Sequence, residues 1–370
     1  MTEPRRAFLE ALREVSPEPG CRNWCKRQPE CRWTQVIAVG KAAESMARGV
    51  AQVWSHLPAL LVLPHPPGQV PCGARWEVMV SSHPQLTTAS LEAGARLVQW
   101  AGRPGSTLVL LSGGSSALVE VLAPGLVPHE AFLHWERWYR CGLSIVEMNQ
   151  LRSRFSLLKG GGLLDYFQGP SHTLVWSDVL QGARWVGSGP TWREPMPPGH
   201  AVEVLGRGQD LRQAMARQLR RQGWKVRCRA AFLGGLAQAV QRLRRWRPAS
   251  GEVLLACAEV TVAVTGGGRG GRCQALALEM LEWLEQQHCG LLAASSDGGD
   301  GPTPYAGAQV DPGTLGRARQ LGLEPQQYRS RQASSEFFEQ LGETWRTGPT
   351  GNNLNDILAV WRWQAPPDAT

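Results

Sequence analysis

The sequence predicts a two-domain α/β protein whose N-terminal part holds a doubly wound parallel sheet. Three observations predict it. Apolar runs of strand length alternate with stretches of helical periodicity, the pattern of strands joined by crossover helices. Glycine-rich turns stand at the ends of those runs rather than inside them, where a strand hands over to a helix. The 370 residues exceed one typical domain, and 42% of them are hydrophobic, enough to fill two cores.

The elements follow in order. MTEPRRAFLEALREV reads as a short amphipathic helix. It lacks the apolar segment and cleavage site of a signal peptide, and no run approaches the roughly 18 apolar residues of a membrane span. The expected location is therefore cytoplasmic, with no membrane partner. Gln35 to Val39 reads as a buried strand, and Gly40 and Lys41 turn the chain into the helix AAESMARGVAQVW. Strands follow at 59–63 and 76–80, then the helix LTTASLEAGARLVQWA. A strand at 107–111 ends in Ser-Gly-Gly-Ser-Ser, residues 128–167 are helical with breaks, and a strand at 172–176 ends in Ser177-Asp178. After RWRPASGE the chain starts again, with paired strands expected at 253–256 and 260–265. A glycine loop at 266–271 precedes the helix CQALALEMLEWLEQQ. A strand at 291–294, shorter helices, TGPTGNNLND and a strand ILAVW complete the chain. The division falls at 248/249, giving domains 1–248 and 249–370.

The net charge is +8, and eleven basic residues with no acid lie between Arg212 and Arg247. That stretch carries no nucleic-acid module and no aromatic rhythm. It reads as the solvated face of two amphipathic helices, so no nucleic-acid partner is expected. Nine cysteines are scattered along the chain, which argues for reduced thiols. The cluster Cys21, Cys25 and Cys31 fits no common zinc spacing. Only four lysines stand against 35 arginines, which singles out Lys41 and Lys159, because lysine offers a compact point charge that arginine cannot copy. The sequence sets no oligomeric state.

In a doubly wound sheet ligands bind at the C-terminal ends of strands. Ser112, Gly113, Gly114 and Ser115 close a strand there, where glycines let backbone N–H groups approach an anion; a plain strand-to-helix turn is the alternative. Lys41, at the first such turn, is placed to reach a phosphate, although the loop is not a Walker A motif. Arg152 and Lys159 lie on a run from 149 to 162 that ends in three glycines, read as a binding face, with a solvated face as the alternative. Gly266 to Gly271, including Gly268, Arg269 and Gly270 and followed by Arg272, formally satisfies G-x-G-x-x-G. A nicotinamide-binding oxidoreductase is therefore a rival reading. Against it, Asp297 falls later than the ribose-binding acid should, and two arginines crowd the loop. Asp297 and Asp300 share a tight glycine turn, suited to holding Mg2+ or orienting a hydroxyl. Asp178 ends a strand, and Asn353 lies in a turn of small hydroxyl and amide residues suited to anion contacts. Three glycine loops, a rare lysine, paired arginines and paired aspartates, with no nucleophile elbow, favour phosphoryl transfer.

The ordered set GKAA, His83-Pro84, LSGGSSAL, the run from 149 to 162, SDV with GSGPT, TVAVTGGGRGGR, DGGDGPTPYAGA and TGPTGNNLND resembles the glycerate 2-kinases of the MOFRL type across nearly the whole chain. The resemblance implies a Rossmann-like N-terminal domain and a smaller MOFRL-type α/β C-terminal domain. It implies ATP- and Mg2+-dependent phosphorylation of D-glycerate to 2-phosphoglycerate, with ATP and a glycerate-like hydroxy acid as small-molecule partners. It also implies an essential lysine, carried to Lys41, and an essential arginine, carried to Arg272 or Arg269. Some relatives bear the name hydroxypyruvate reductase, so an NAD(P)-dependent reductase stays as an alternative. A non-catalytic nucleotide-binding relative is a further one, because the pattern departs from the family. Cys273 and Ala275 replace an Asn and a Glu, Gly182-Ala183 replace an acidic pair, Thr87 and Thr88 stand nearby where His-Pro usually leads to an acid, and Cys257-Ala-Glu259 departs from the family's GGE.

Overall fold

The computed structural model describes residues 3–28, 30–68, 72–140, 145–180, 182–263 and 265–363. β1 (Gln35–Val39), β2 (Pro58–Leu63), β3 (Arg75–Val80), β4 (Thr107–Ser112), β5 (Ser171–Ser177) and β6 (His200–Arg207) form one sheet in the order β3-β2-β1-β4-β5-β6. Every neighbouring pair is parallel. β1 and β4 are buried at every residue, as expected of continuous apolar runs covered on both faces. The order reverses between β1 and β4, and such a switch point opens a crevice beyond the strand ends. The doubly wound sheet is therefore the one expected, with β6 as an addition.

The second sheet differs from a doubly wound one. β7 (Lys225–Cys228), β8 (Phe232–Gly235), β9 (Glu252–Thr261), β10 (Gly290–Ala294), β11 (Gly307–Val310) and β12 (Asp356–Arg362) assemble in the order β11-β10-β12-β9-β7, with β8 also on β9. β12 lies between β9 and β10 and is antiparallel to both. The two paired strands expected at 253–256 and 260–265 are one strand, β9. Cys257 and Ala258 are small and buried and carry it through without a turn, while β7 and β8 pair with its successive halves.

Contacts divide the chain into two compact units: 16–207 with Gly351–Asn353, and Met1–Val15 with 208–350 and 354–370. Residues 208–248 thus join the second sheet, unlike the division at 248/249. The reason is pairing: helix Gly208–Arg221 leads into β7, which adds to β9. The N-terminal helix Glu3–Glu14 joins the same unit through Arg217–Glu14, a Trp224 to Glu3 hydrogen bond of 2.6 Å and Phe8 packed edge-on against Trp345. Arginines of the basic stretch engage the protein itself. Arg212 donates to the Arg229 carbonyl at 2.9 Å, Arg242 to that of Ala230 at 3.0 Å, and Arg227 pairs with Glu252. No helix among the described residues is long and apolar enough to cross a membrane.

Candidate active site

At the switch point of the first unit the loops after β1 and β4 are bonded to each other. The Lys41 N–H donates to the Gly113 carbonyl at 2.9 Å, and the Ala42 N–H to Ser112 Oγ at 3.0 Å. Gly40 has a φ of +126°, and a Cβ there would collide with Ser112; only glycine permits this approach. Gly114 is left-handed, with a φ of +87°. A Cβ on it would lie 3.2 Å from both Lys41 Cγ and His83 Cδ2, so the lysine stem and the exposed imidazole line the loop. The helix opened by this loop is only Ser115–Leu118. One turn sums few peptide dipoles, so the helix contributes less to anion binding than the sequence suggests.

Asp178 and Asn353 stand on the other side of the same loop. Asn353 Nδ2 donates to Asp178 Oδ2 at 3.0 Å, and its backbone N–H is held by Asn352 Oδ1, which also accepts from Trp176 Nε1 at 2.7 Å. A Cβ on Gly113 would collide with both the Asp178 carboxylate and the Asn353 amide. Arg152 reaches the loop as well: Nη1 donates to Ser116 Oγ at 3.2 Å, and Ser116 Oγ meets Ser188 Oγ at 2.9 Å. Lys41, Ser112 to Ser115, Arg152, Asp178 and Asn353 therefore gather as one cluster.

Lys159 does something else. Its ammonium is buried and paired with the equally buried Glu120. Burial pushes it down from the usual lysine range, with Glu120 opposing. The glycines after it zip to the backbone at 188–190, with Gly160 N–H on the Ser188 carbonyl at 3.0 Å and Gly161 N–H on that of Gly189 at 2.8 Å. The run thus reads as an anchor under the site rather than an anion loop. The side chain of Asn149 lies outside the described residues.

In the second unit, Arg272 makes a bidentate pair with Asp356, Nη2 to Oδ1 at 2.7 Å. Asp356 is buried and holds the guanidinium charged well beyond its ordinary range. Arg269 is exposed and pairs with Glu339 at 2.6 Å. Asp300 is wholly buried, and its two oxygens accept the Cys273 and Gln274 N–H groups at 2.9 and 2.8 Å. It caps helix Arg272–Glu279, satisfying orphan donors. Burial lifts its pKa to about 6 against the pull of those N–H groups and of Arg272. Asp297 is only partly buried; its Oδ1 accepts from Ser295 Oγ at 2.7 Å and Gly299 N–H at 3.0 Å. For Mg2+, which takes few protein carboxylates, Asp297 fits and Asp300, with both oxygens occupied by main-chain donors, does not. No group of three or more metal-ligating side chains occurs among the described residues.

The loop at 266–271 packs against 331–334. Gly268 N–H donates to the Arg331 carbonyl at 2.8 Å, and Cβ atoms on Gly268 and Gly270 would collide with Arg331 O and Ser334 Oγ. A dinucleotide fingerprint also requires adjacent parallel strands, whereas β12 separates β9 from β10. The nicotinamide reading of this loop therefore fails on topology.

Residues 3–222 match the model of a family described as a domain of unknown function, DUF4147. The chain belongs to the DUF4147 family. Residues 252–356 match the MOFRL family. Among similar proteins, a glycerate 2-kinase of Pyrococcus horikoshii is 27% identical, over 87% of this chain and 86% of its own. A putative hydroxypyruvate reductase of Agrobacterium vitis is 28% identical, over 88% and 98%. The crystal structure of glycerate kinase from Thermotoga maritima matches with a TM-score of 0.81 at 25% identity, covering 96% of this chain and 98% of that one. Three residues had no role assigned from sequence: His83 and Glu120 in the first unit and Asp356 in the second. Each carries a signal in hindsight. His83 follows β3, Glu120 is an acid inside an apolar run, and Asp356 opens a buried strand.

Proposed function

We propose that this chain transfers the γ-phosphoryl group of ATP to a hydroxyl of glycerate, yielding 2-phosphoglycerate and ADP. The observation that carries the reading is the convergence of Lys41, the Ser112 to Ser116 loop, Arg152 and the Asp178–Asn353 pair at the switch point, in a chain whose relatives over most of its length include glycerate 2-kinases. Phosphoryl transfer needs positioned cations and N–H donors more than covalent chemistry. Lys41 and the loop N–H groups bind phosphate oxygens. Asp178, steadied by Asn353, orients the acceptor hydroxyl and takes its proton as the oxygen bonds to phosphorus and ADP leaves. Arg152 binds the acceptor carboxylate, since a guanidinium pairs with a carboxylate in two-pronged fashion. Within the second unit, Arg272, fixed by Asp356, is a cation suited to an anion of its own, and Arg269 is a surface partner of Glu339. Asp297 is the residue that would hold Mg2+, and the metal would supply positive charge toward phosphate oxygens.

The test is acceptor-dependent ADP release with ATP, Mg2+ and D-glycerate. Release that requires glycerate is expected, and Lys41→Ala should lower kcat/KM roughly 100- to 1000-fold, the scale of losing one transition-state charge partner. ADP release indifferent to every hydroxy acid offered would overturn the proposal and favour a non-catalytic nucleotide-binding protein.

A further inference from the structure

Arg152 is held from behind by an aromatic ring. Its guanidinium carbon sits 4.1 Å over the centre of Trp135, and the Lys159 ammonium lies 5.0 Å from the same ring. Trp135 is 4% exposed and Arg152 8%. The indole N–H of Trp135 has no hydrogen-bond partner among the described residues although it is buried. Buried tryptophans usually find one, so the site retains the indole for its π face, which attracts a guanidinium more strongly than the other aromatic rings do. The ring is itself locked. Trp138 lies 6.4 Å from it and packs edge-on against Phe155 at 5.0 Å, joining helix Pro128–Arg140 to helix Ile145–Phe155. A ring contact orients a guanidinium without neutralising it and without occupying its N–H donors, one of which reaches Ser116.

We propose that Trp135 is a positioning residue that presents Arg152 to the acceptor's carboxylate, and that it thereby sets the preference for hydroxy acids over uncharged polyols. The inference rests on the glycerate kinase reading. The experiment compares wild type, Trp135→Phe and Trp135→Leu in the ADP-release assay, with D-glycerate and with glycerol as acceptors. In Trp135→Leu the KM for glycerate should rise about tenfold, within the range of a desolvated cation–π contact, while the KM for ATP and the turnover of glycerol stay put. Trp135→Phe, which keeps a ring and the packing, should fall between. An unchanged glycerate-to-glycerol preference in both variants, with melting temperatures near wild type, would overturn the role of Trp135 and leave the kinase reading standing. Equal losses for glycerate and glycerol would also overturn it, marking the ring as merely structural. Absence of glycerate-dependent turnover in the wild type would instead overturn the kinase reading and this inference with it.

Discussion

The two glycine loops that end β4 and follow β9 look alike as sequence, yet they need glycine for different reasons. At Gly113 and Gly114 the missing Cβ makes room for side chains from elsewhere: Asp178, Asn353, Lys41 and His83. At Gly266 and Gly268 it makes room for the protein's own backbone, the carbonyl of Arg331. The first loop sits at the switch point of a parallel sheet, where strand ends leave an open crevice. The second follows a strand whose neighbour β12 runs the other way, and it is folded against the helix junction at 331–334. A glycine-rich turn after a strand thus marks close approach, and only its neighbours tell whether a ligand or the chain itself approaches.

The largest expected contrast tests this directly. Gly113→Ala should lower kcat at least about 100-fold, because the new methyl displaces Asp178 and Asn353, and misplacement of about 1 Å at a reacting group costs on that order. Gly268→Ala should instead cost about 1–3 kcal/mol of stability, as overpacking does, with the kcat of the folded protein retained. Parallel denaturation and steady-state kinetics separate the two. If both variants lose activity at unchanged stability, the distinction between the loops collapses.

A second contrast is between the two lysines. Lys159→Met strands the Glu120 carboxylate in the core and should destabilise by about 3–5 kcal/mol, as breaking a buried pair does. Lys159→Met with Glu120→Leu should recover much of that loss. Lys41→Ala should leave the melting temperature nearly unchanged.

The smallest effect concerns pH. Asp300 is lifted from 3.8 to about 6, so between those values the folded state binds more protons than the unfolded one. Its contribution to stability therefore declines as pH rises through that window. The unfolding free energy of wild type minus that of Asp300→Asn should fall from pH 4 to pH 6 and level off above. A difference that rises over that interval would show the carboxylate to be stabilised as an anion by its N–H partners instead.

Five strands of the first sheet were legible as short runs rich in apolar residues, with β1 and β4 closed by glycine turns, and Lys41, Ser112 to Ser115 and Asp178 were named from the strand ends. β6, β7, β8 and β11 were not legible. β7, for example, reads KVRC and is mostly exposed, so neither apolar content nor alternation marks it. Lys159 was assigned to the ligand because nothing near it in sequence announces Glu120. The pairing of Asp178 with Asn353 joins positions 175 residues apart; each was singled out, but their contact belongs to the tertiary structure. The glycines of 266–271 were read by motif, whereas their requirement comes from a helix junction far along the chain.

The central place of β12 has a consequence for synthesis. During translation, β9 and β10 emerge well before the strand that lies between them, so their facing edges stay unpaired until residues 356–362 leave the ribosome. Helix Glu3–Glu14 is made long before the rest of the unit it belongs to. The parallel-sheet unit has all six of its strands far earlier, and nascent domains generally fold as units in order of emergence. Until β12 is made, the facing edges of β9 and β10 are open strand edges of the kind that pair with other chains.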